Sequence, residues 1–183
     1  MPILNTEKTN CSLWERGMKK ILLLSGLLCM ATTLFAKNIS VQIIQNGPAM
    51  NGNVCASSSL IEQTIVGYFF DSGYIVSSSP VFIGNDKDVN SLKSALQENA
   101  EGGMDYLVRV EVDYTPETSN PNAILLANIK QVTWKNYAVS SGEELSAGSE
   151  TIGTVNRQNN NENGVTSFAN LVAAKINAGL RAR

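Results

Sequence analysis

Asp105-Tyr106-Leu107-Val108-Arg109-Val110-Glu111-Val112-Asp113-Tyr114 is the stretch that decides the fold. Side chains alternate along an extended chain, so Tyr106, Val108, Val110, Val112 and Tyr114 share one side, and Leu107, Arg109, Glu111 and Asp113 share the other. β-branched and aromatic residues on one face suit a pleated, half-buried surface. A helix would scatter the same residues around its axis. The reading is a central strand with its apolar face under a helix and its charged face solvated.

Working back from this strand, Gly102-Gly103 stops a helix that runs from about Asp88, a suitable N-cap, through Val89, Leu92, Leu96 and Ala100. Tyr74-Ile75-Val76 reads as a short strand, resumed at Val81-Phe82-Ile83 after Pro80. Asp71-Ser72-Gly73 ends an earlier helix, with Gly73 in the left-handed position after the last turn. That helix starts at Ser59, which stands three residues before Glu62 in capping-box spacing, and Ile61, Ile65, Tyr68 and Phe69 share its face. Asn38 to Gln45 is the first strand, followed by a turn-rich loop over residues 46–53.

Working forward, Thr115 to Asn122 reads as an exposed loop and Ile124 to Val139 as one long strand. Ser140-Ser141-Gly142 is a hairpin turn. Glu144 to Thr154 is the weakest strand and the edge candidate, polar and broken by glycine. Arg157 to Asn163 is a solvated loop. The last helix runs from about Gly164 to Leu180, with Val165, Phe168, Leu171, Val172 and Ile176 facing the core. The fold class is therefore α/β (α+β), a mixed sheet with three helices in the order β-α-β-α-β-β-β-α. Strands joined through helices should be parallel and the hairpin strands antiparallel.

The chain has 183 residues, enough for one domain with a sizeable core. Its net charge is −2, with no basic block, so nucleic acid and anionic membranes are poor partners. Histidine is absent, which removes the commonest general base and the commonest transition-metal ligand.

Met18-Lys19-Lys20 is followed by an apolar run from Ile21 to Met30 and by Ala31-Thr-Thr-Leu-Phe-Ala36. A positive start, an apolar centre and a small residue at a cleavage position define a secretory signal over residues 18–36. The apolar run is short for a transmembrane span. Residues 1–17 look unlike any part of a signal, so Met18 is the expected functional start and residues 37–183 the mature domain, beginning at Lys37. That domain has 14 acidic and 10 basic side chains, a net charge of −4. Cys29 follows Leu28, where lipid attachment generally wants a small residue, so cleavage after Ala36 is favoured over a lipid anchor. With Cys11 and Cys29 removed, Cys55 is the remaining thiol, expected to be buried and inert.

Phosphate-cradling loops and serine-acylation motifs are missing. Asp86-Lys87-Asp88-Val89-Asn90 starts like a calcium loop, but Ser91 stands where glycine is needed and Gln97 where glutamate is needed. Glu111 and Asp113 point to one side of a strand, and paired carboxylates can do acid–base work. Arg109 beside them reads instead as one member of a surface ion-pair row. Trp134 and Tyr137 lie on opposite faces of the long strand. Helices on both faces would cover the two of them; otherwise one stands outside the core and could anchor a partner.

Three stretches carry a resemblance. Phe69-Phe70-Asp71-Ser72-Gly73-Tyr74-Ile75-Val76 is a helix end followed by glycine, an aromatic and a strand. Gly103-Met104-Asp105-Tyr106-Leu107-Val108 is a strand entry, and Tyr137 to Leu145 is a hairpin with Gly-Glu and leucine. Together, over roughly residues 38–182, they resemble bacterial envelope domains of the TolB amino-terminal, LpoB and curli secretion lipoprotein type. The resemblance implies an α/β domain that works by binding partners, and it transfers no catalytic residue.

The expectation is an exported, non-catalytic binding or assembly module of the bacterial cell envelope, periplasmic or secreted. Its partner would be an envelope protein or a cell-wall component, with self-association also open. No cofactor or metal is expected. The partner-binding surface is placed on the edge around Glu144 and Thr151, with Trp134 or Tyr137 near it. The alternatives are a small-ligand carrier, or a histidine-free glycan hydrolase using paired carboxylates.

Overall fold

A computed structural model of the chain describes residues 36–47, 53–84, 89–116, 118 and 120–182. The proposed signal (except Ala36), residues 1–17, Cys11, Cys29 and Asp86-Lys87-Asp88 lie outside the described residues.

The elements are β1 (Asn38–Asn46), α1 (Ala56–Asp71), β2 (Ile75–Ser78), β3 (Phe82–Ile83), α2 (Val89–Glu101), β4 (Tyr106–Tyr114), β5 (Ile129–Ala138), β6 (Glu144–Thr151) and α3 (Glu162–Arg181). They form one mixed sheet in the order β2-β1-β4-β5-β6, with β3 paired to β1 beyond β2. β1 is parallel to β2, β3 and β4, while β5 is antiparallel to β4 and to β6. This is the α+β architecture expected, with the second strand interrupted at Pro80 into β2 and β3.

The alternation in β4 governs the packing. Val108, Val110 and Val112 are fully buried, beside Ile39, Val41 and Ile43 of β1. Against this face lie α1, through Ile61, Ile65 and Phe69, and α3, through Val165, Val172 and Ile176. Phe69 meets Tyr74 edge to face at 5.5 Å. The Tyr74 hydroxyl donates to Asn177 Oδ1 at 3.0 Å, tying the end of α1 to α3. Gly73 takes φ 87°, the left-handed conformation that ends α1 and turns the chain into β2.

The opposite face departs from expectation. Leu107 is fully buried and Arg109 is only 3% exposed, so this side of β4 is not a solvated row. The reason is α2, which crosses one end of that face. Ala95 of α2 packs with Leu107, Tyr137 and Val139 in a second, smaller core. Arg109 Nη2 donates to Ser91 Oγ at 3.2 Å.

Two boundaries and one core position also differ. Helix α1 starts earlier than Ser59, with Cys55 as its N-cap residue and no side-chain cap bond. Tertiary bonds fix that start: Cys55 N and Ser58 Oγ both donate to Gln45 Oε1, at 2.7 and 3.0 Å. Strand β5 begins at Ile129, because residues 126–128 form a 3-10 turn. Leu171 is 46% exposed rather than core, its place on the buried face of α3 being taken by Ala169 and Ala173.

Candidate functional site

Strand β6 closes one edge of the sheet. Ile152 N donates to Lys130 O at 3.4 Å, which sets the phase of the β5–β6 ladder. Neighbouring residues of a strand turn their backbone groups to opposite sides. Ser146, Gly148 and Glu150 therefore bond to β5. Ala147, Ser149 and Thr151 turn their N–H and C=O groups outward, where they meet no strand among the described residues, and Leu145 is the bulged residue at the hairpin end.

The side chains of β6 divide between the two faces. Ser146, Gly148 and Glu150 lie on the α3 side. Asn136 Nδ2 donates to Ser146 Oγ at 2.8 Å and to Ile176 O at 3.2 Å, so one buried amide joins β5, β6 and α3. Glu150 pairs with Lys175 of α3. Gly148 lies opposite Trp134, and the indole occupies the space its side chain would need. A Cβ built there would stand 2.3 Å from Trp134 Cζ2. The ring thus reaches across the edge strand while remaining only 7% exposed.

Of the four residues singled out from the sequence, the structure brings three to this edge. Glu144 and Thr151 are its ends, both exposed, and Trp134 underlies its middle. Tyr137 sits on the other face, beneath α2 and 5% exposed, and is not available as an anchor. Helices on both faces cover the two aromatic rings. Sequence reasoning missed Gly148 and Asn136. Glycine inside a strand pattern signals close approach by another group, and that was the available sign for Gly148. A lone asparagine among apolar residues gives no such sign.

On the α2 face, the part that α2 leaves open is a polar ladder. Across β1, β4, β5 and β6 the register aligns Gln42-Arg109-Lys135-Ala147, then Ile44-Glu111-Thr133-Ser149, then Asn46-Asp113-Gln131-Thr151. A shallow depression of about 460 Å³ lies over Arg109, Glu111, Thr133 and Ser149. A second, of about 590 Å³, lies beside Asn46, Ile83, Glu111 and Asp113. Glu111 and Asp113 both accept from Asn46 Nδ2, the latter at 3.1 Å. They stand side by side on one strand and share one amide, rather than facing each other across a cleft as glycosidic acid–base pairs do. No group of three or more potential metal-ligating acids or thiols occurs among the described residues.

Cys55 is a buried free thiol, 3% exposed. Burial pushes its pKa up, opposed by a hydrogen bond with Tyr114. Burial likewise raises the Tyr114 phenol far above its ordinary range, although a bond to Ser58 Oγ at 2.7 Å favours the ionised form. Both groups are therefore neutral and unreactive near pH 7, and they serve to fasten α1 to β1 and β4. At the start of β1, Lys37 Nζ donates to the Tyr106 hydroxyl at 2.6 Å, and Asn38 N donates to Asp105 Oδ2 at 2.8 Å. No described helix is long and apolar enough to cross a membrane.

No curated protein matches the chain by sequence. Among solved structures, the chain is similar to the PelC dodecamer from Paraburkholderia phytofirmans, at 18% identity and a TM-score of 0.45, covering 81% of this chain and 89% of that one. It is similar to TolB from Acinetobacter baumannii at 14% identity and a TM-score of 0.42, over 80% of this chain and 29% of that one. The LpoB C-terminal domain from Salmonella enterica is similar at 12% identity and a TM-score of 0.36, over 70% of this chain and 92% of that one. Residues 38–181 match the model of a family described as "Uncharacterised protein", and the chain belongs to that family.

Proposed function

We propose that this chain is an exported, non-catalytic binding or assembly module of the bacterial cell envelope, and that it takes up an extended partner segment along β6. The observation that carries this reading is the open β6 edge, where Ala147, Ser149 and Thr151 turn backbone groups outward and meet no strand among the described residues. A partner strand laid there gains a ladder of main-chain hydrogen bonds, the basis of β-strand addition. Open edges are commonly protected by inward charges, proline or a lysine row. Residues 145–149, Leu-Ser-Ala-Gly-Ser, have none of these, and Glu150 is turned aside by Lys175. Trp134 beneath Gly148 supplies an apolar floor at the centre of the edge. The signal-like segment over residues 18–36 and the sequence resemblance to envelope domains support an envelope location. The partner is an envelope protein or a cell-wall component.

The test is crosslinking in the native host followed by mass spectrometry, comparing the wild type with Thr151→Pro. Proline removes an outward N–H at a position where an edge strand tolerates it. Repeated capture of one envelope component, lost in the variant, is the expected result. Capture undiminished by Thr151→Pro, with the variant folded, overturns the edge as the docking surface.

A further inference from the structure

The asparagine-rich loop before α3 reads as solvated in sequence, yet the fold ties it down. Asn156 Oδ1 accepts from Gln158 N at 2.8 Å and from Asn159 N at 3.1 Å, and Asn159 Nδ2 donates to Thr154 O at 3.0 Å. Asn160 Oδ1 accepts from Ala127 N at 3.0 Å, which fastens the loop to the 3-10 turn that carries Leu126. Gly164 lets the loop close on α3, because a Cβ there would overlap Asn159 O. Between the loop, the 3-10 turn and the first turns of α3 lies a depression of about 400 Å³. Leu126, Phe168 and Leu171 form its apolar part, and Gln158, Asn163 and Ser167 are on its polar rim.

The lining decides what fits. The side chains of Gln158, Asn163 and Ser167 are exposed and make no hydrogen bond among the described residues, so both donors and acceptors are left for a ligand. Leu171 is 46% exposed beside them, and Phe168 is half-buried. No charged side chain is in this lining, whereas Arg109, Glu111 and Asp113 line the depressions on the sheet. The start of α3 is not offered to an anion either. Gly164 N donates to Asn161 Oδ1 at 3.1 Å, and Glu162 stands in the first turn. The ligand that matches is therefore uncharged, rich in hydrogen-bonding groups and apolar on one face.

We propose that this depression binds an uncharged glycan carrying acetamido groups. A pyranose ring has a face of C–H groups and a rim of hydroxyls. The C–H face lies on Phe168 and Leu171, and the rim meets the side chains of Gln158, Asn163 and Ser167. An acetamido group adds one N–H and one C=O, which the side-chain amides of Gln158 and Asn163 answer in kind. Its methyl group falls on the apolar surface of Leu126 and Leu171. The loop is already held by its own hydrogen bonds, so little ordering cost remains to be met on binding. This goes beyond the β6 reading and does not rest on it, because none of these residues belongs to the edge.

Titrating the purified, isotope-labelled protein with tetra-N-acetylchitotetraose and following its amide NMR signals tests the proposal. The expected result is a saturable shift confined to residues 158–171 and the turn at Leu126. Cellotetraose has the same rings without acetamido groups and should bind about tenfold more weakly. Asn163→Ala and Leu171→Ala change exposed side chains, and each should weaken binding about two- to tenfold with circular dichroism unchanged. No saturable shift, shifts elsewhere on the protein, or indifference to both substitutions overturns the site. An equal response to cellotetraose overturns the acetamido assignment. If the sugar gives no shift but Leu171→Ala abolishes crosslinking to an envelope protein, the surface belongs to a protein partner and the glycan proposal fails. Thr151→Pro should leave the titration unchanged, so failure of the β6 reading and failure of this one are read separately.

Discussion

Replacing Gly148 by alanine adds one methyl group at a place where the structure leaves no room. The new Cβ would lie 2.3 Å from Trp134 Cζ2, 2.7 Å from Cε2 and 3.0 Å from Cη2. These are ring atoms of a side chain that is 7% exposed, not the end of a flexible one. Either the indole leaves its position against the sheet, or β6 lifts from β5. Overpacking of this kind costs about 1–3 kcal/mol. The lower part of that range applies if the edge strand yields, since β6 is held on one side only. Urea unfolding measures the cost directly. The proposed mature domain has Trp134 as its one tryptophan, so its fluorescence reports on the same ring. The expected result is a lower midpoint and a native emission shifted to the red as the indole meets water. Trp134→Phe should accept the alanine better, because a smaller ring vacates the contested space. The double variant is then more stable than the sum of the single losses allows, a coupling of about 0.5–3 kcal/mol for residues in contact. Additive losses, or a Gly148→Ala protein with unchanged midpoint and emission, would refute the placement of the indole on Gly148.

Val110 is fully buried at the centre of β4, so Val110→Asp strands an unpaired charge and should cost about 3–5 kcal/mol, read by thermal unfolding. Cys55 and Tyr114 both have raised pKa values in the fold. Unfolding lets them ionise at their ordinary values, about 8.5 and 10, so stability is full below pH 8 and falls progressively as the solution becomes more alkaline. Tyr114→Phe should flatten that fall between pH 9 and 11 in a series of urea titrations, and an unchanged slope would count against the buried phenol. Asn136→Ala removes the amide that joins β5, β6 and α3, and should cost about 1–3 kcal/mol while leaving Ser146 and Ile176 without that donor. For export, mass spectrometry of the protein from its native host should find Lys37 at the amino terminus; an intact Met1 on a cytosolic protein would sink the signal assignment.

Much of the fold was legible because β4 announces its own alternation. Val108, Val110 and Val112 could point only to one side of a strand, and that side had to be covered. Turn chemistry placed the helix ends as well, since Gly73 and Gly103 take the left-handed conformation that ends α1 and α2. Alternation says nothing about how far a helix extends over the other side. Arg109 reads as solvated in sequence and is 3% exposed in the fold, because α2 crosses that end of the sheet. The Ser59–Glu62 spacing suggested a local cap. The real start of α1 is set by Gln45, ten residues before Cys55, through a tertiary bond that no local pattern contains.

The edge was legible for a different reason. A strand of serine, alanine and glycine has little to bury, and such strands end up outermost. Its neighbours were harder to read. Trp134 and Tyr137 are three residues apart on β5 and so point to opposite faces, where both proved covered, one by Gly148 and α3, the other by α2. The aromatic that belongs to the edge is the one opposite a glycine. That pairing depends on β5–β6 register, which sequence spacing across a turn leaves open by a residue or more; here a bulge between Asn136 and Tyr137 shifts it. Without the bulge, continuing the ladder would set Tyr137 opposite Leu145 rather than Glu144. The irregularity therefore lies at the hairpin end of the edge, and Ser146 to Thr151 remain in the regular phase that turns alternate backbone groups outward.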